Sequence, residues 1–280
     1  MVPRCIVLAL FLSLSLSGPA NAEPLRVISG PVASGQAFVF CTFDGIREDC
    51  FLDTGSAMTL LVSSEELSGK TNAGTFHFKG ATGISQQGET IQIHSAVLDS
   101  VEFENLKIGR IRRDLQVQSA LGIDLLGRRP FSLNFRFKPS LHLDPKAPRK
   151  LFTTLEVGAH HLFTVPLTIG KVDSRALWDS GAGITVVDES FIHTHPENFK
   201  QTDDFETATD GTGGSIPVKT FRAKVIKIGH RTFRNSRVIA TDLSVLRANG
   251  NPPVRAVIGF NLIRKCDWYF DAKQTKWSVR

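Results

Sequence analysis

Cys50-Phe51-Leu52-Asp53-Thr54-Gly55-Ser56-Ala57-Met58-Thr59-Leu60-Leu61-Val62 and Ala176-Leu177-Trp178-Asp179-Ser180-Gly181-Ala182-Gly183-Ile184-Thr185-Val186-Val187 follow one pattern. Each is an apolar run, then an acid, a hydroxyl residue and a glycine, then a second apolar run. An acid inside an apolar run is costly, because desolvation disfavours its charged form. A chain that does this twice, with Gly at the same offset, does it for chemistry. Two carboxylates held about 3 Å apart cannot both ionise, so they share one proton. One is then a base and the other an acid at the same pH, and together they can activate a water and protonate a leaving amine. Asp53 and Asp179 are the candidate catalytic pair. Thr54 and Ser180 can lock the two turns together through their hydroxyls. Gly55 and Gly181 let backbone N–H groups approach the carboxylates. Ser56 offers Asp53 a further hydroxyl, where the second turn has Ala182.

Working outward, the surroundings repeat in the same order. Ala37 to Phe43 and Glu48 to Leu52 read as a hairpin leading into Asp53; Phe163 to Ile169 and Ser174 to Trp178 do the same for Asp179. A Gly-rich segment follows each time: Gly80 to Gly88 in the first unit, Ala208 to Ser215 in the second. Next comes an apolar-apolar-Gly element with Asp or Asn two residues later, at Gly122 and Asp124, then at Gly259 and Asn261. Phe131 to Phe137 closes the first sheet, and Trp268 to Asp271 with Lys276 to Val279 closes the second. The second unit is longer between its acid and its late Gly. Ser244 to Val254, with Asn249-Gly250-Asn251-Pro252-Pro253, reads as an inserted loop. Such self-similarity signals tandem units. The expected division is a leader over 1–22, a first lobe over 23–137, a Pro-containing linker over 138–150 and a second lobe over 151–280.

Asp-Thr-Gly-Ser and Asp-Ser-Gly-Ala in apolar surroundings resemble the active-site loops of aspartic proteases, in particular the retropepsin-like group. The resemblance covers nearly all of the chain after the leader. It implies an all-β protein of two similar barrel-like lobes, related by a pseudo-two-fold axis, with Asp53 and Asp179 meeting in the cleft. It implies peptide-bond hydrolysis with no cofactor, no metal and no covalent intermediate. It also implies hairpin flaps over an extended peptide or protein substrate, with Thr82 and Gly83 on one tip and Asp210, Gly211 and Gly213 on the other. The sole Tyr, Tyr269, lies far from either flap, so the flap tyrosine of pepsin-like enzymes is absent. The picture is closer to a fused retropepsin dimer, a monomer with a pseudo-dimeric site. Two rivals are a non-catalytic peptide-binding module of the same fold and a glycosidase, which also uses two carboxylates but in a wider or covalent geometry.

Residues 1–22 look like an export signal: Arg4, an apolar run from Cys5 to Leu16, and a small-residue cleavage site at Ala20-Asn21-Ala22. The expected mature chain starts at Glu23 and works in the periplasm or outside the cell, with no stable membrane insertion. Cys41, Cys50 and Cys266 remain. With a four-residue loop from Asp44 to Arg47, Cys41 falls opposite Cys50, and a cross-strand disulfide with Cys266 left free is the expectation; two buried free thiols are the alternative. No Cys/His spacing suggests zinc, and His160, His161, His193 and His195 read as loop residues. The net charge of +6 is spread over scattered basic clusters without interleaved aromatics, which disfavours nucleic acid.

Overall fold

The computed structural model describes residues 22–30, 34–80, 83–112, 118–149, 152–247 and 253–280. Apart from Ala22 the leader lies outside these residues, and so does Thr82. The architecture is all-β: among the described residues there are two eight-stranded sheets and a six-stranded sheet. The first lobe orders its strands Arg26–Ser29, Gly35–Phe43, Ile46–Leu52, Ala120–Leu121, Leu60–Val62, Val101–Ile111, Ser85–Leu98, Asn72–Lys79. The second lobe follows the same order with Glu156–Val157, Phe163–Ile169, Val172–Trp178, Val254–Ile258, Val186–Asp188, Arg231–Thr241, Ser215–Ile228, Phe199–Thr209. In both, the second strand also pairs with the seventh and curls the sheet onto itself. The repeat read from the sequence is thus a repeat of topology.

Local chemistry explains the strands. Gly35–Phe43 buries Ala37, Val39, Cys41 and Phe43, the period of two expected of a strand with one face on a core. It turns at Asp44-Gly45, whose φ values of 47° and 84° fit the two-residue hairpin turn that matches strand twist. That turn corrects the expected four-residue loop. Phe43 pairs with Ile46, Cys41 with Glu48 and Val39 with Cys50. Cys41 and Cys50 are therefore diagonal neighbours, not opposite ones, and both are buried free thiols, as is Cys266. The hydrogen bond to Cys41, together with burial, pushes the Cys50 thiol well above its ordinary pKa. All three thiols are expected to be alkylated in unfolded protein without prior reduction; a peptide map with Cys41 crosslinked to Cys50 would contradict this.

The strands read as closing each lobe separately instead form one shared sheet. Its order is Glu23–Pro24, Ser140–Leu143, Phe131–Asn134, Trp268–Asp271, Lys276–Val279, Thr153–Thr154. Ser140–Leu143 lies within the expected linker, so part of that segment is a strand. The lobes join where Phe131 pairs with Phe270. Aromatic rings fill the space beneath: Phe131 stacks on Phe270 at 5.3 Å, and Trp178 lies 4.6 Å from the same ring. Trp178 is fully buried and immediately precedes Asp179, so the interlobe core supports the second acidic turn directly.

Candidate active site

Asp53 follows the strand Ile46–Leu52, and Asp179 follows Val172–Trp178. Each strand end is held by a parallel neighbour: Leu52 pairs with Leu121, and Trp178 with Ile258. The backbone N–H of each acid donates to the carbonyl of that neighbour, Asp53 to Leu121 at 3.0 Å and Asp179 to Ile258 at 3.1 Å. The apolar-apolar-Gly elements thus sit beside the acidic turns and set their height.

The two turns are locked to each other. Ser180 N–H donates to Thr54 Oγ1 at 3.0 Å, and Thr54 N–H donates to Ser180 Oγ at 3.1 Å. Thr54 Oγ1 in turn donates to the Trp178 carbonyl at 3.1 Å, and Ser180 Oγ to the Leu52 carbonyl at 2.8 Å. Both hydroxyl residues are fully buried, so these groups have no water to fall back on. The lock brings the carboxyls of Asp53 and Asp179 into hydrogen-bond contact. Each glycine faces the opposite acid. A side-chain carbon on Gly55 would collide with the Asp179 carboxyl, and one on Gly181 with the Asp53 carboxyl. No larger residue fits at either position.

Each carboxylate receives two backbone N–H groups from its own turn. Asp53 Oδ1 accepts from Gly55 and Ser56, both at 3.1 Å; Asp179 Oδ1 accepts from Gly181 at 2.8 Å and Ala182 at 3.2 Å. Burial pushes Asp53 well above the ordinary carboxylate range, and the neighbouring Asp179 charge pushes it further. Burial raises Asp179 as well, against the pull of the Gly181 and Ala182 N–H groups and of the hydrogen bond from Asp53. The pair therefore holds a proton to higher pH than an isolated acid. The Ser56 hydroxyl does not distinguish the two acids. The Ser56 hydroxyl turns away and donates to the Met58 carbonyl at 2.8 Å; what Asp53 receives is the Ser56 backbone N–H, which Ala182 supplies equally to Asp179. Ser56→Ala and Ala182→Ser are expected to leave the alkaline limb of a pH profile where it is in the wild type. Limbs shifted in opposite directions would show that the Ser56 hydroxyl acts on Asp53.

A second layer of the site went unread in the sequence. Thr59 donates through both N–H and Oγ1 to Asp124 Oδ1, each at 2.8 Å, and its Oγ1 accepts the Gly122 N–H at 3.1 Å. Thr185 makes the same three bonds with Asn261 and Gly259, at 2.8, 2.8 and 3.1 Å. These clasps tie the chain leaving each acidic turn to the late Gly element. The available signal was a Thr six residues after each acid and an Asp or Asn two after each late Gly.

Residues 165–262 match the profile of a family described as aspartyl protease. The match runs from the hairpin before Asp179 through Asn261. The fold is that of an aspartic proteinase. An aspartic proteinase from Irpex lacteus superposes with a TM-score of 0.58 at 12% identity, over 92% of this chain and 96% of that one. No curated protein sequence matches the chain. In this aspartic-proteinase fold the Gly-rich segments are hairpin tips with one geometry. Gly80 N–H donates to Ile84 O at 2.9 Å and Gly83 N–H to Gly80 O at 3.0 Å; Asp210 to Gly214 and Gly213 to Asp210 repeat these at 2.9 and 3.0 Å. Gly83 and Gly213 sit at φ values of 90° and 82°, where a side chain would be strained. The tips touch: Gly80 abuts the side chains of Asp210 and Thr212, and Gln86 Nε2 reaches the Thr212 carbonyl at 3.4 Å. Gly211 has open space around it.

Proposed function

We propose that this chain is an exported aspartic endopeptidase, with Asp53 and Asp179 as its catalytic residues. The reading rests above all on the reciprocal lock between Thr54 and Ser180, which makes two turns from different lobes into one site. With one proton on the pair, the ionised carboxylate takes a proton from water as the water oxygen attacks the scissile carbonyl carbon. The protonated carboxyl donates to the carbonyl oxygen. A proton then passes to the amide nitrogen as the C–N bond breaks, leaving a carboxylic acid and an amine. Two hairpin tips that touch each other suit closure over an extended substrate, whose backbone would pair with the flap strands while its side chains enter apolar pockets. The substrate is an unfolded or extended segment of an exported or envelope protein, cleaved by a monomer in the periplasm or outside the cell. The purified mature chain is expected to cut internal bonds of an unstructured peptide library and to be blocked by pepstatin. Tight peptide binding without cleavage would favour the non-catalytic peptide-binding module.

A further inference from the structure

The strand Glu23–Pro24 forms one edge of the interlobe sheet, with Glu23 opposite Leu141 and Pro24 opposite Ser140. Two residues of pairing are little to hold a chain end, which stays loose unless something ties it down. Asp99 does so. Its Oδ1 accepts the Glu23 backbone N–H at 3.0 Å, and its Oδ2 accepts the Leu143 N–H at 2.6 Å, bridging the edge strand and its neighbour. Asp99 is only 4% exposed. It sits in the tight turn between the paired residues Leu98 and Val101, where Asp99 and Ser100 both have positive φ, 48° and 60°. That conformation favours glycine, and the matching turn of the second lobe has Gly229 at φ 56°. The first lobe thus carries, at the position matching Gly229, an aspartate, which tolerates the positive φ and reaches the first strand.

The charge there is unbalanced. The Glu23 side chain is half-buried, and its carboxyl is raised first by burial and then by the Asp99 charge, with Arg47 pulling the other way. Two carboxylates therefore meet at the residue that directly follows Ala20-Asn21-Ala22. We propose that Glu23 is the amino terminus of the working protein, and that its α-ammonium pairs with the buried Asp99 carboxylate to fasten the first strand into the sheet joining the lobes. A peptide N–H at that point donates one hydrogen and carries no full charge. An α-ammonium donates three, adds the missing positive charge, and makes the stronger charge-assisted bond. Removal of the leader then does more than release the chain: it creates the group that completes the sheet. The inference rests on the export part of the proposed function and is independent of catalysis.

The sign of the pH effect follows from the groups that face the amine: Asp99, the Glu23 carboxyl and Arg47. An amine that gains a carboxylate partner on folding has its folded pKa raised. Its stabilisation is complete below the unfolded value, about 8, and is lost as pH rises through the folded value. The test compares the melting of chains beginning at Glu23 with that of chains beginning at Ala22, each with Asp99 intact and as Asp99→Asn. At pH 6.5 the Glu23 chain is expected to melt higher by about 3 °C, with the gap closing at pH 10 and absent in the Asp99→Asn pair. If Asp99→Asn does not fold, the pH arm on the intact pair decides. The protein exported from the full-length gene should show Glu23 as its first residue by mass spectrometry. A different first residue, equal melting at pH 6.5, or a gap that survives at pH 10 or in Asp99→Asn overturns the proposal. None of these readouts depends on proteolytic activity.

Discussion

Asp53→Asn and Asp179→Asn are each expected to lower kcat for peptide hydrolysis on the order of 10⁴-fold, with the fold intact. An amide cannot share the proton that the pair shares, so either change leaves one carboxyl, which cannot be base and acid at once. The same variants are expected to melt no lower than the wild type at pH 7. Asp53 has a raised folded pKa because it is buried beside Asp179. Between the ordinary value and the raised one, the folded chain binds more protons than the unfolded chain. Stability is therefore greatest below the ordinary carboxylate pKa and falls as pH rises toward the folded value. Asparagine keeps the shape and removes that penalty. A catalytic residue whose loss costs activity and gives stability differs from a structural acid, whose removal costs stability. Calorimetry and a steady-state assay on the same preparations check both halves, and substantial turnover by either variant would show that the lobes do not form a joint site.

Thr54→Val carries the second large effect. The change keeps the volume and removes one oxygen. That oxygen accepts the Ser180 N–H and donates to the Trp178 carbonyl, and both partners lie in the buried interior. Leaving both unpaired should cost roughly 2–6 kcal/mol, at about 1–3 for each stranded group. In a chain of this size that lowers the melting temperature by roughly 4–24 °C. Thr54→Ser, which keeps the oxygen, should recover most of the loss. Ser180→Ala strands the Leu52 carbonyl and the Thr54 N–H and should behave like Thr54→Val. A melting temperature unchanged in Thr54→Val would mean that the reciprocal lock does not hold the lobes in register.

The two acidic turns were legible because each breaks an apolar run in the same way, and the physics of burying a carboxylate makes such a break expensive. The Gly-rich tips were legible because Gly83 and Gly213 occupy positive φ, which few other residues tolerate. Three features were not legible, each for a definite reason. Asp44-Gly45 is compatible with hairpin loops of two or four residues, and only the register, Cys41 to Glu48, decides where the thiols fall. The Ser56 hydroxyl had two acceptors within reach, Asp53 and the Met58 carbonyl, and sequence does not rank them. The closing strands of the lobes are indistinguishable in pattern from strands of a shared sheet. Their union depends on the long-range pairing of Phe131 with Phe270. The Thr59–Asp124 and Thr185–Asn261 clasps fall between these cases: half of each was visible as Asp or Asn after Gly, and the threonines were hidden in the apolar runs.

The central claim is that Asp53 and Asp179 form one titrating unit that holds a single proton where isolated acids would hold none. Carboxyl ¹³C shifts of aspartate-labelled protein, followed from pH 3 to pH 8, measure it directly. The wild type should show two coupled carboxyl resonances, with one proton retained on the pair above the pH where isolated acids have lost theirs, and Asp179→Asn should abolish the coupling at Asp53. Two independent titrations near the ordinary aspartate value, about 3.9, unchanged at Asp53 by Asp179→Asn, would contradict it.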